Sequence, residues 1–171
     1  MKVSLNPRTA EKVAIYFERA QQEEIRRMLP QKAQTLAEAL ADFAKAQRPG
    51  ATSFGRTIDA DGRYVGDVWV YAIDRNDTPN AMLSYCVFDQ SVWRKGVATE
   101  AVRQFLTEVC EKYSLSTVGA FTYAANTASI RVLEKCGFVL AEEFSEEGIV
   151  SRYYQFENGF HKSASDCQQV P

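Results

Sequence analysis

Residues 82–113 read MLSYCVFDQSVWRKGVATEAVRQFLTEVCEKY. The stretch opens on an apolar run, Met82 to Phe88, whose length and composition suit a buried strand. It closes on a helix: Val97, Ala98, Ala101, Val102, Phe105, Leu106, Val109, Cys110 and Tyr113 recur at alternating steps of one and three, the clearest periodicity in the chain. Between the two lies Trp93-Arg94-Lys95-Gly96-Val97-Ala98-Thr99. A helix start leaves backbone N–H groups unpaired and presents the positive end of the helix dipole. Gly96 and Ala98 put little side chain in the way, and Arg94 and Lys95 add two positive charges. In physical terms this is a cradle for a phosphate or pyrophosphate. The same residues also describe a basic loop running into an ordinary core helix. Neither the GxxxxGK[ST] loop nor the GxGxxG fingerprint is present.

Reading outward, residues 9–48 follow helical spacing. Thr9 is placed as an N-cap, Pro30 closes the first helix, and Thr35 with Glu38 makes a capping box for the second. Pro49-Gly50 ends it. Thr52 to Ile58, Tyr64 to Ile73 and Met82 to Phe88 then read as strands joined by polar turns, an antiparallel meander. Downstream of the central helix come a strand at Thr117 to Tyr123, a helix from Asn126 to Gly137, and a hairpin of Val139 to Phe144 and Ile149 to Phe156. The order is ααβββαβαββ. Its central strand–loop–helix–strand unit is where α/β folds place a ligand. Residues 1–157 are expected to form one domain and residues 158–171 a short polar tail.

Composition narrows the function. The chain has 171 residues, 46% hydrophobic, with 20 basic and 22 acidic side chains, a net charge of −2. That balance argues against a general nucleic-acid binder, and no stretch reaches the roughly 18 apolar residues of a spanning helix. Cys86, Cys110, Cys136 and Cys167 form no CxxC pair and His161 stands alone, so no metal site is expected. Unpaired cysteines in apolar patterns and the lack of a signal-peptide pattern point to the cytoplasm and no membrane.

A second segment gives the loop a context. Asn126-Thr127-Ala128-Ser129-Ile130-Arg131-Val132-Leu133-Glu134-Lys135-Cys136-Gly137-Phe138 follows the next strand. Together the two segments resemble the GNAT N-acetyltransferase superfamily. The first is similar to its [QR]-x-x-G-x-[GA] pyrophosphate loop. The second is similar to the N-x-x-S-x-x-V-x-E-K-x-G-F stretch of the branch that acetylates ribosomal-protein N-termini and related amines. The likeness extends over roughly residues 8–157.

The resemblance implies an α/β (α+β) fold: a central mixed, mostly antiparallel, splayed sheet flanked by helices. It implies acetyl-CoA as cosubstrate, wedged between strands 82–88 and 117–123. The pyrophosphate would meet Trp93, Arg94, Lys95, Gly96, Val97, Ala98 and Thr99. The pantetheine arm would run along main-chain groups of Cys86, Val87 and Phe88, with an N–H near Val87 or Phe88 polarising the thioester carbonyl. Asn126 would hydrogen-bond the arm, or serve only as an N-cap; Ser129, one turn on, would touch the donor or continue the cap. Transfer to the amine would be direct, with no covalent enzyme intermediate.

The sequence departs from the pattern in three places. Trp93 replaces the usual Gln or Arg, as an aromatic does in the related branch. Leu133 stands where many members carry a tyrosine acid. Ser84 and Phe121 stand where others carry a glutamate. Ser84 or Tyr85 is expected to order a water that takes the amine proton; Asp89 is the nearest carboxylate, unless it only closes a turn. The acceptor is expected opposite the donor, near Tyr16, Phe17, Glu24, Arg27 and Met28 and the final hairpin. Residues 91–138 carry 6 basic and 4 acidic side chains, whereas residues 139–171 carry 2 and 6. That suits a cationic amine, or simply solubility. A non-catalytic acyl-CoA-binding module and a plain interaction domain remain as alternatives. The expected partners are acetyl-CoA and an amine acceptor, with the protein a monomer or a homodimer.

Overall fold

The structure is a computed structural model, and residues 1–159 are described. In chain order the elements are β1 (Val3–Pro7), α1 (Ala10–Arg19), α2 (Glu23–Met28), α3 (Leu36–Ala46), β2 (Phe54–Ala60), β3 (Arg63–Asp74) and β4 (Asn80–Val87). There follow α4 (Val97–Tyr113), β5 (Thr117–Tyr123), α5 (Thr127–Lys135), β6 (Val139–Glu146) and β7 (Ile149–Glu157). The strands make one seven-stranded sheet in the order β1-β2-β3-β4-β5-β7-β6. Every neighbouring pair is antiparallel except β4 and β5. The mixed, mostly antiparallel α/β architecture is the one expected.

The element order differs from the reading at its start. Val3–Pro7 is a strand, paired with β2 from Val3↔Ala60 to Pro7↔Arg56. It sits at the sheet edge, where a proline is tolerated, and its partner lies some fifty residues away, beyond any local pattern. The first helical stretch is also two helices. Gln21 Nε2 donates to the Phe17 carbonyl and Gln22 Nε2 to the Arg19 carbonyl, closing α1 early. The turn then lets Ile25 of α2 bury against Tyr16, Ala20, Cys86 and Phe88. The Thr9 N-cap and the Thr35–Glu38 capping box are both formed.

The main core lies between the sheet and α4. Val97, Ala101, Val102, Phe105, Leu106 and Val109 are the helix's buried face, each large side chain contributing about 1.5–3 kcal/mol by leaving water. They meet Val68 and Val70 of β3 and Ala81 and Leu83 of β4, with Phe105 stacked on Phe54 at 6.0 Å. Cys86 and Cys136 are buried and Cys110 is half-buried; all three thiols are free. Cys167, His161 and the tail beyond Gly159 lie outside the described residues.

The feature that matters for function is where pairing stops. β4 and β5 are in register only at Asn80↔Thr117, Ala81↔Val118 and Met82↔Gly119. β4 continues to Val87 and β5 to Tyr123 without pairing, so the sheet opens as a V.

Candidate active site

A cleft occupies the V. Its walls include Leu83, Ser84 and Tyr85 of β4, Ala120, Phe121 and Thr122 of β5, Asn126, Ser129 and Leu133 at α5, and Met28 and Leu29 after α2. Alternation along β4 divides these by face. Leu83, Tyr85 and Val87 turn to the α4–α5 side, while Cys86 and Phe88 turn to the α1–α2 side. Ser84 shares the parity of Cys86. Ser84 and Tyr85, the two alternatives for ordering that water, therefore face opposite sides of the sheet. Ser84 lies with Met28, Leu29 and Phe121; Tyr85 lies against α5.

The Tyr85 hydroxyl reaches Ser129 Oγ at 2.8 Å and donates to the Ser129 carbonyl at 3.2 Å. Burial raises its pKa well above the ordinary tyrosine value, so the phenol stays protonated. Asn126 Oδ1 accepts from Ser129 N at 3.1 Å, which makes it the N-cap of α5. The amide's other end, Nδ2, is the group available to a ligand in the cleft.

Main-chain direction separates Cys86, Val87 and Phe88. Phe88 N donates to Val65 O at 2.9 Å, across to β3. Because successive residues alternate sides in a ladder, Cys86 also turns to β3 and Val87 turns its N–H to the open V. Of the three, only Val87 offers an N–H to the cleft. Its carbonyl accepts from Trp93 Nε1 at 2.7 Å, which ties the loop back onto the end of β4. That bond gives the unusual Trp93 a structural reason.

The loop itself has the cradle geometry. Arg94 and Gly96 are left-handed at φ 62° and 80°, and Gly96 is the N-cap of α4 without any side-chain cap. Glu100 is the first residue of the helix to donate within it, to the Gly96 carbonyl. The N–H groups of Val97, Ala98 and Thr99 are thus the free first turn of a 17-residue helix. Arg94, Lys95 and Gly96 are exposed, and a Cβ on Gly96 would meet nothing within 4 Å. An anion has open access.

Asp89 is not in the cleft. It caps a 3-10 turn, accepting from Ser91 N at 2.9 Å and Ser91 Oγ at 2.6 Å, and pairs with Arg63 at 3.2 Å. The Ser91 bonds lower its pKa. A different carboxylate, Asp67 of β3, escaped the sequence reading. It is buried on the α1–α2 side, 3.0 Å from Arg8 Nη2 and accepting from Tyr64 Oη at 2.8 Å. Burial raises its pKa against the pull of Arg8. Nothing in the strand's pattern distinguishes Asp67 from a solvent-facing residue. Its visible role is to anchor the chain entering α1.

A family model, the acetyltransferase (GNAT) domain, matches residues 2–139. The chain belongs to the GNAT acetyltransferase family. A probable N-acetyltransferase of Bacillus subtilis (strain 168), YjcK, is 34% identical over 85 residues, covering 50% of this chain and 46% of that protein. The chain thus spans about half the length of the curated relative it matches. Among solved structures, the spermidine N-acetyltransferase from Vibrio cholerae in complex with CoA and spermine superposes with a TM-score of 0.80 at 14% identity, over 91% of this chain and 95% of that one. The ribosomal-protein-S5-alanine acetyltransferase from Vibrio fischeri gives 0.79 at 17% identity, over 93% and 94%. At such identities the likeness is one of fold. The V between β4 and β5 and the uncapped start of α4 are two open features of this GNAT domain.

Proposed function

We propose that this GNAT protein is an N-acetyltransferase that moves the acetyl group of acetyl-CoA directly to a primary amine. The observation that carries it is the cleft through the sheet, open to α5 on one face and to α2 on the other, with a free helix N-terminus beside it. Arg94 to Thr99 hold the donor's pyrophosphate, and Asn126 Nδ2 and Ser129 hold its pantetheine arm. The Val87 N–H polarises the thioester carbonyl. The amine enters from the Ser84 face. Its nitrogen attacks the carbonyl carbon, the C–S bond breaks, and the sulfur leaves as thiolate and takes a proton. Ser84 orders the water that receives the amine's proton. Tyr85, on the other face, serves by holding Ser129.

The acetyltransferase domain is residues 1–157, acting as a monomer or homodimer, with no metal, nucleic acid or membrane in its reaction. Three free thiols support a cytoplasmic setting. No helix among the described residues is long and apolar enough to cross a membrane.

The test is release of free CoA thiol from acetyl-CoA with a panel of amines, including antibiotics, polyamines, amino acids and peptide N-termini. At least one should give release together with its N-acetyl product. Leu133 lines the cleft where many superfamily members carry a tyrosine, which favours a second reading as a non-catalytic acyl-CoA-binding module. CoA binding without release for any amine would select that reading.

A further inference from the structure

The cleft's lining contains no charged side chain. Such a site favours the neutral, attacking form of an amine, but it supplies no attraction for the cation that most amines are in solution. Any such attraction must come from beside the cleft. Phe121 of β5, Tyr153 of β7 and Glu142 of β6 are successive cross-strand partners, so they form one row leading away from the cleft on the acceptor face. Phe121 is both a cleft wall and 56% exposed. Its ring lies 5.0 Å from Tyr153 and 6.1 Å from Phe144. The platform has a slot built for it: a Cβ on Gly119 would stand 2.5 Å from Tyr153 Oη, so only glycine lets that ring lie across β5.

Across β5, β7 and β6 the charge on this face has one sign. Glu142 and Glu146 stand opposite Tyr153 and Ile149, on the platform's side. Arg152, the one basic residue of β5, β6 and β7, is on the other side, held by Glu143 at 2.7 Å. An exposed aromatic platform with carboxylates at its rim attracts a cation.

The geometry points to a doubly cationic acceptor. One amine reacts in the cleft beside Ser84, while a second positive charge lies over the Phe121–Tyr153 rings toward Glu142. Neighbouring strands are about 4.8 Å apart and Ser84 on β4 is two strands from Tyr153 on β7, so the reacting nitrogen and the second charge are separated by about 10 Å or more. Flexible diamines and short peptides with a lysine near their N-terminus share this chemistry. The inference rests on the acetyl-transfer reading.

Thiol release is measured with octanediamine, butanediamine, octylamine and a tripeptide amide ending in lysine. Octanediamine spans the platform; butanediamine is too short. KM for octanediamine should be about fivefold or more below that for octylamine, and butanediamine should show no such gain over octylamine. Glu142→Lys, at an exposed edge-strand position, should raise KM for octanediamine by about fivefold or more and leave octylamine unchanged. A similar advantage for the peptide would identify peptides as a source of the acceptor. Equal KM values for octanediamine and octylamine, or a Glu142→Lys effect equal for both, would overturn the inference and leave acetyl transfer standing. No release with any of the four would overturn both.

Discussion

The Tyr85 hydroxyl sits 2.8 Å from Ser129 Oγ, joining the open edge of β4 to the first turn of α5. Among the described residues no side chain but Tyr85 hydrogen-bonds β4 to α5. The bond therefore sets how far the donor side of the cleft can open. Tyr85→Phe removes it while keeping the ring. The expected cost is about 1 kcal/mol of stability, with kcat/KM for acetyl-CoA down about tenfold as Ser129 loses its anchor. Thermal denaturation and steady-state kinetics check the two separately. Unchanged kinetics would remove Tyr85 from the donor site.

Ser84 faces the other way, so its removal should read differently. Ser84→Ala is expected to lower kcat about tenfold and leave acetyl-CoA affinity unchanged, measured by calorimetry. If Ser84→Ala leaves turnover intact, the proposed proton route is wrong.

Gly96 tests the anion cradle. Its φ of 80° suits glycine, and a Cβ would meet no neighbour, so the effect of Gly96→Ala is conformational. Forcing an alanine into this region costs about 1–2 kcal/mol, relieved by a shift of the loop that misaligns the N–H groups of Val97 to Thr99. Acetyl-CoA should bind about tenfold more weakly, with little change in KM for the amine. Equal affinity in calorimetry would place the pyrophosphate elsewhere.

Buried acids make stability fall at alkaline pH. Burial pushes the Cys86 thiol from 9.0 up to about 12. Between those values the native state holds a proton that the unfolded chain has lost, so stability present below pH 9.0 declines as pH rises to about 12. Tyr16, Tyr64 and Tyr85, raised mainly by burial, add to the loss above tyrosine's ordinary 10.0. Tm should drop through this range, and Cys86→Ala should make the early part of the drop shallower. A flat Tm would show that these groups ionise freely in the folded protein.

Much of this was legible where the signal is local. The period of α4 located its buried face. Thr117–Tyr123 read as a strand with the bounds it has, and Asn126 read as the cap it is. Alternation along β4 would also have parted Ser84 from Tyr85, since period two puts neighbours on opposite faces. What escaped depends on distant partners. β1 is defined by pairing with β2, Asp67 by Arg8 and Tyr64, and the direction of the Phe88 N–H by Val65. The aromatic row on the acceptor face exists only once β7 lies between β5 and β6.

Direct transfer requires donor and acceptor together in one cleft, here one that opens to both faces of the sheet. Initial velocities with acetyl-CoA and the best amine varied against each other test it most directly. Double-reciprocal lines should intersect, as a ternary complex requires. Parallel lines would mean an acetylated enzyme and would rule out direct transfer.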